Sequence, residues 1–534
     1  MPVTLKGEVS SFKPNEAALF LKPLILGRHL VALLIAGMLV IPALTPAATF
    51  TWDGHGNGNS TWRRAQNWVG NARPPIDSYL GLLNTDIILS GTRKTTPVLD
   101  RRYYIHSLAI AAGAASFTLN YQGNINNNNL LLGSGGIVNN SVNSQTLRPD
   151  ITISQSQTWN ANAGNITASG PLHLINNNNL NFSGGFNTTV TGSIQGAGSL
   201  SKDGSGTLTL SGTSANSFSG GVTINDGTVT LGKASGLGSG PLTVNGGTLN
   251  LGNYNLNLGS VTLSGGTISS TGGSIAGSTP YQLQAGTVSG NLGGAVAAIK
   301  STSGNVFLTS ANTYTGGTQV NDGQLIVANS SGSATGSGPV SVNNSGVVMG
   351  IGAIGGWVTN GPGGTISAGY EIGTLNIGNL AWFGGGINRW DLSDTSGTAG
   401  TGWDLLRVNG NLMLLASPGN PAIIDVTSFT LAGTRGLAAN FDPTQNYLWT
   451  FLEATGGITF AGGGDASSAF TVVTGNFMNS HDGGQFAVEL SGNGQQLNLT
   501  YTPIVVPEPS KMVLLGLGLF SLVYIKRIKR NWQT

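Results

Sequence analysis

The chain has 534 residues, 84 of them Gly, with only 8% charged and 39% hydrophobic; this length points to several domains or one elongated repeat array rather than a single core. Such low charge beside so much apolar residue excludes a disordered chain, the lack of a strict Gly-X-Y period excludes collagen, and the absence of Cys excludes disulfides, thiolate metal sites and Cys nucleophiles. The formal net charge of +2 comes from the ends: residues 49–510 carry 14 basic and 19 acidic side chains, a net of −5, which offers nucleic acid no electrostatic footprint.

Residues 1–48 have the form of a secretory signal. Arg28-His29 precedes an apolar run over residues 30–44, followed by Thr45-Pro46-Ala47-Ala48, so cleavage is expected near Ala47 or Ala48. The run is short against the roughly 20 residues of a spanning helix, which disfavours an uncleaved anchor.

Residues 49–170 are expected to form an N-terminal β-solenoid region. Trp52, Trp62 and Trp68 lie close together near its start. Exposed, they would stack on sugar rings; buried, they would plug the first coil, which is the expectation.

Residues 171–385 hold internal repeats. SFSGGVTINDGTVTL (217–231) aligns with TYTGGTQVNDGQLIV (313–327), and each runs on into a similar element, GSGPLTVNGGTL from Gly238 and GSGPVSVNNSGV from Gly336. Self-similarity of this kind marks stacked supersecondary units. Val222-Thr223-Ile224 and Thr228-Val229-Thr230-Leu231 are short and β-branched, which favours strands. Asn225-Asp226-Gly227 and Asn321-Asp322-Gly323 lie between such runs, where Asp-Gly permits positive φ. These turns close a hairpin or bend the chain onto the next face of a coil. The coil is preferred, because strand follows strand with almost no helical periodicity. Rungs of roughly 20 to 25 residues stacked ~4.8 Å apart would let Asn stack on Asn along the corners; Asn126 to Asn129 and Asn176 to Asn179 suit such turns.

SGGVTINDGTVTLG followed by GSGPLTVNGGTLNLG resembles the autotransporter-associated β-strand repeat of bacterial passenger proteins. The opening TFTWDGHGNGNSTWRRAQNWVGNARPP (49–75) and the stretches at 145–170, 364–380 and 402–412 are similar to other parts of such passengers. The resemblance implies an all-β, right-handed parallel β-helix and no catalysis. Such passengers usually end in a membrane barrel; this chain has a short tail in its place.

Residues 386–502 change pattern. Trp390, Trp403 and Trp449 occur there with alternating runs at 470–473 and 496–501, so a terminal β-rich cap is expected, covering an otherwise open edge.

Residues 503–534 form a three-part tail. Val506-Pro507-Glu508-Pro509-Ser510 precedes an apolar stretch over residues 512–525 and then the basic stop Lys526, Arg527, Lys529 and Arg530. A short C-terminal transmembrane helix is expected, its basic end cytoplasmic and Lys511 and Lys526 snorkelling to the interfaces. The tail resembles the PEP-CTERM sorting domain of Gram-negative bacteria. That resemblance implies an exosortase-type sorting enzyme as partner and transient anchoring in the inner membrane. It places the chain on the cell envelope, cell surface or extracellular matrix, with exopolysaccharide or a neighbouring cell surface as further partners.

Solenoids also host polysaccharide lyases and hydrolases, which need carboxylates or a basic side chain gathered on neighbouring rungs. The densest acidic set is Asp391, Asp394 and Asp404, read as loop and turn residues before a paired acid and base; Asp226 and Asp322 hold equivalent turn positions. The histidines stand apart without metal-binding spacing. Residues 350–355 match G-x-G-x-x-G with no helix to receive a phosphate, and Gly462-Gly463-Gly464-Asp465 is a single copy of a calcium-repeat-like run. The sequence therefore points to no catalytic, cofactor or metal residues and to a structural, adhesin-like surface protein. The alternatives are a polysaccharide-active β-helix enzyme and a membrane-tethered passenger.

Overall fold

The computed structural model describes residues 47–75, 84–123, 130–504 and 511–530. The leader up to residue 46, Asn126 to Asn129 and the Val506–Ser510 motif lie outside them.

Alternation sets the coil. In Thr228–Leu231 and Thr207–Leu210 the apolar residues are buried and the threonines half-exposed, the period-2 signature of a sheet with one face on a core. Each strand pairs in parallel with the rung before and after it: Leu200 with Val222, Val222 with Leu242, and Leu242 with Val261. These inward residues form an aliphatic file along the core.

The strands fall on three faces. Face one begins at Ala48–Trp52 and runs through seventeen successive parallel pairings to Ile458–Phe460. At ~4.8 Å per step that ladder is about 80 Å long. Face two runs from Val98–Leu99 to Phe470–Asn476. Face three is discontinuous, with one stretch through Leu172–Leu174 and another through Leu256–Leu258, Ser274–Gly277 and Asn291–Gly293. Paired residues in the central rungs are 17 to 23 positions apart, as for Tyr281 with Ala298 and Leu325 with Val348. The structure is thus an all-β parallel solenoid.

The Asn-Asp-Gly turns make corners, not hairpins. Val222–Ile224 and Thr228–Leu231 pair with neighbouring rungs and not with each other. In the second copy the chain passes through 321–323 inside one bent strand, Thr318–Val327, with an irregularity between Val320 and Asp322. Amides stack along the first corner: Asn245 Nδ2 donates to Asn225 Oδ1 (2.9 Å), and Asn225 Nδ2 to Asp203 Oδ1 (2.7 Å). Asn176 and Asn177 adopt positive φ in a turn.

At the start, Trp52, Trp62 and Trp68 are fully buried. Trp68 packs edge-on against both others, with centroids 5.3 and 5.5 Å away, and its Nε1 donates to the Trp62 carbonyl. They close the core and offer no stacking platform. At the far end, Gln485–Leu490 and Gln496–Thr502 form an antiparallel pair, and the latter also runs antiparallel to Tyr447–Ala454. Phe441, Tyr447, Phe477, Phe486 and Tyr501 pack beneath that hairpin.

Lys511–Arg530 is helical, but the expectation of a transmembrane helix needs correction. Among the described residues no helix is long and apolar enough to cross a membrane. The apolar run spans 14 residues between Lys511 and Lys526, about 21 Å at ~1.5 Å per residue, against a hydrocarbon core of about 30 Å.

Candidate functional site

Among the described residues, two arrangements of buried charge stand out beside Lys233, a buried lysine whose Nζ donates to Ser214 O (2.8 Å). The first is a lysine clip that occurs twice. Lys202 and Lys300 take inward positions in the core file of face one, equivalent to Ile224, Val244 and Val320 on adjoining rungs. Both are buried. Lys202 Nζ donates to the carbonyls of Asp203 (3.0 Å) and Gly204 (2.5 Å), and reaches Asp226 O on the next rung at 3.5 Å. Lys300 Nζ donates to Thr302 O and to Asp322 O (2.9 Å) in the same way. Each ammonium therefore joins the corner of its own rung to the Asn-Asp-Gly corner of the next.

The glycine of that corner is required twice over. Gly227 and Gly323 both have φ of 65°, and a Cβ would stand 2.7 Å from Lys202 Nζ or 2.6 Å from Lys300 Nζ. Asp226 and Asp322 each accept from the backbone N–H of the following glycine, a turn role rather than a catalytic one. Burial pulls both lysines below their ordinary pKa, and the neighbouring aspartates oppose it. Buried ammonium groups persist when paired and hydrogen-bonded, and hydrogen bonds to charged groups contribute about 1.5–3 kcal/mol. Lys300→Met keeps the length but strands the Thr302 and Asp322 carbonyls. It is expected to destabilise the chain by about 2–3 kcal/mol in urea unfolding, and a change under 0.5 kcal/mol would show the clip to be dispensable.

The second arrangement lies on face two, beyond the repeats. Asp391 and Asp404 come together, both fully or nearly buried, whereas Asp394 sits apart in a turn, accepting from Ser396 N and Asn440 Nδ2. Asp404 Oδ1 accepts from Gly373 N (3.0 Å) and Oδ2 from Asp391 N (3.2 Å). Asp391 Oδ2 pairs with Arg389 Nη2 at 3.3 Å, and Arg389 also donates to Tyr370 O. Apart from that ion pair, neither Asp391 oxygen has a hydrogen-bond partner among the described residues. Two buried carboxylates thus tie the turn at 369–373 to the loop at 393–404. Both are shut off from the surface in this structure, out of reach of a polymer substrate.

Burial pushes the Asp391 carboxyl up to about 7, with Arg389 and Arg435 pulling it down and Asp425 pushing the same way as burial. Asp404 is also raised, by burial first and then by Asp391. A raised folded pKa means that the fold favours the protonated form. This contribution is complete below the ordinary carboxylate pKa of 3.8 and is lost as pH climbs through about 7. The chain should melt at a higher temperature at pH 5 than at pH 8, and Asp391→Asn should remove part of that difference, leaving the share that burial of Asp404 contributes; an unchanged difference would assign it elsewhere.

The same turns enclose an open cavity of about 360 Å³, lined by Ile351, Tyr370, Glu371, Thr401, Phe429 and Leu431 among others. Four consecutive rungs contribute, through the turns that come after face two. Tyr370 is half-exposed and its ring stacks on Phe307.

The remaining sequence candidates are scattered. The Gly350–Gly355 run crosses a turn into strand Ala353–Asn360, with no helix after it. Asp465 accepts from Ser467 and Ser468 in an exposed turn. Among the described residues no group of three His, Asp or Glu is placed to hold a metal.

The two lysines and the Tyr370 cavity escape a reading of the sequence alone. For the lysines a signal exists: in Leu200-Ser201-Lys202 the lysine has the inward parity of the alternation. For the cavity there is none, since its walls are up to 82 positions apart, from Ile351 to Gly433.

A family model described as the passenger-associated-transport-repeat matches residues 200–231 and 299–327. Each match covers the first and second faces of two consecutive rungs, with Leu200 on Val222 and Leu208 on Val229 in the first, and Ile299 on Gln319 and Val306 on Leu325 in the second. Each contains one lysine clip complete with its Asn-Asp-Gly corner. The chain therefore carries two autotransporter-associated repeats. No curated protein matches the chain.

Proposed function

We propose that the chain is an exported, passenger-type surface protein whose working part is the solenoid itself, acting as a structural or adhesin-like rod with a right-handed coil. The observation that carries this reading is the pair of transport-repeat matches, set in an uninterrupted parallel ladder. Its outward surface suits display. On face two, Thr207, Thr228, Thr248, Thr267 and Thr287 stand in register along five rungs, giving a neutral hydroxyl file that faces water without charge.

The ends serve as addresses. A leader removed near Ala47 or Ala48 leaves the first strand, Ala48–Trp52, to begin the mature chain. Val506-Pro507-Glu508-Pro509-Ser510 is the site read by an exosortase-type enzyme of a Gram-negative bacterium, with Lys526, Arg527, Lys529 and Arg530 as the basic stop. Exposed Leu519, Phe520, Leu522 and Val523 on the tail helix favour a membrane-side encounter with that enzyme. Exopolysaccharide and neighbouring cell surfaces are the proposed partners. The alternative, a polysaccharide-active enzyme, is disfavoured by the burial of the two carboxylates that come closest together.

Cell fractionation with intact mass spectrometry tests this. The expected product is extracellular or surface-bound, starting near residue 48 and ending near residue 510. A cytosolic chain with both ends intact would overturn the reading.

A further inference from the structure

We propose that the cavity between Ile351, Tyr370 and Leu431 is a binding site for a neutral pyranose unit of a polysaccharide. This deepens the function proposed above and rests on it for the source of the ligand; the site itself is argued from its own chemistry.

The cavity is built, not incidental. Its first wall, Tyr370–Ile372, is held from behind at two points: Arg389 donates to Tyr370 O, and Gly373 N donates to buried Asp404. Its second wall is a tight turn in which Thr430 N donates to Thr434 O, Gly433 N donates to Thr430 O, and the two threonine hydroxyls meet at 2.9 Å. Arg435 lies over the Phe429 ring at 5.5 Å and fixes the base of that turn. Buried charge of this kind is costly for a surface loop; here its geometric effect is to fix where Tyr370 and Glu371 stand.

The lining selects the ligand. Phe307 backs one face of the Tyr370 ring, with centroids 6.2 Å apart and planes 29° apart, while the side chain stays 49% exposed. Ile351 and Leu431 are also largely exposed and line the same cavity. An aromatic plate flanked by aliphatic groups suits the C–H face of a sugar ring. The Glu371 carboxylate accepts hydrogen bonds from ring hydroxyls, and the Thr401 and Thr430 hydroxyls, each already bonded within its own turn, keep an oxygen lone pair to accept another. Among the described residues Glu371 is the only charged side chain in the lining, so a neutral ring is favoured there over a uronic acid or a sulfated sugar. The volume lies at the lower end of small-ligand sites, which suits one or two rings and leaves the rest of a polymer outside.

The test is affinity electrophoresis of the intact chain through native gels cast with neutral polysaccharides (a β-glucan, an α-glucan, a galactomannan and a xylan) or with polygalacturonate. At least one neutral polymer is expected to retard the chain and polygalacturonate to leave it unretarded. Tyr370→Ala should weaken the apparent affinity about tenfold, equal to about 1.4 kcal/mol, with an unchanged melting temperature. Tyr121→Ala, exposed elsewhere on the body, should retard like the parent. Retardation by none of the neutral polymers, or equal retardation of Tyr370→Ala, overturns the proposal. Fractionation separates the two readings: an exported chain that no gel retards removes this site alone, and a cytosolic chain removes the function above.

Discussion

Trp62→Ala is expected to open the first rungs of the solenoid and leave the middle intact. Trp62 is fully buried, its ring 5.5 Å from Trp68 and 5.0 Å from Tyr103. Removing a buried tryptophan costs about 3–5 kcal/mol through lost contacts and the cavity left behind. In a stack, each rung touches only its neighbours, so the loss stays local. Native-state hydrogen exchange resolves this. The amides of Thr85–Leu89, which pairs with Ala48–Trp52, should exchange about 10²–10⁴ times faster, at about 1.4 kcal/mol per tenfold. Those of Thr248–Asn250 and Thr267–Ser269 should keep their rates. Uniform acceleration would mean that the solenoid opens as one unit, and no acceleration that the tryptophans are not its plug.

What the sequence disclosed was local. Period-2 alternation named the strands around Val222 and Val229, and Asp226-Gly227 named the corner, because both signals lie within a few residues of what they specify. The preference for a coil over a hairpin came from the absence of helical periodicity between strands, and the assignment of strands to faces came only with the pairings. The lysine clips stay hidden because a lysine amid Ser, Asp and Gly looks solvated; only its parity places Lys202 inside, and only the next rung supplies Asp226 O. The tail helix is legible from its apolar run. The shortness of its apolar run is legible too, as 14 residues between two lysines, against the roughly 20 that a spanning helix needs. The Asp391–Asp404 contact depends on the path of a twelve-residue loop, 393–404, which returns a side chain to the strand it left. No spacing rule encodes that return.

Arg389 is where that return can be tested, because it is the only cation ion-paired to Asp391 among the described residues. Arg389→Leu is expected to destabilise the C-terminal rungs by about 1–2 kcal/mol at pH 8, less than the about 3–5 kcal/mol seen when one partner of a buried pair is removed and the other keeps its charge, because Asp391 can take up a proton instead. The size of the loss should depend on pH. Burial already pushes Asp391 up to about 7 with Arg389 present, and Arg389 is the largest of the influences holding it down. Without the guanidinium the carboxyl rises further, so it is protonated and neutral at pH 5 and the defect shrinks there. Arg389→Leu combined with Asp391→Asn should recover most of the loss at pH 8, because no uncompensated charge is then buried. Chemical unfolding of the single and double variants at both pH values measures the coupling directly. An Arg389→Leu chain equally destabilised at pH 5 and pH 8, and not rescued by Asp391→Asn, would mean that Arg389 acts through its hydrogen bond to Tyr370 O. The brace behind the cavity would then be a matter of packing and not of charge.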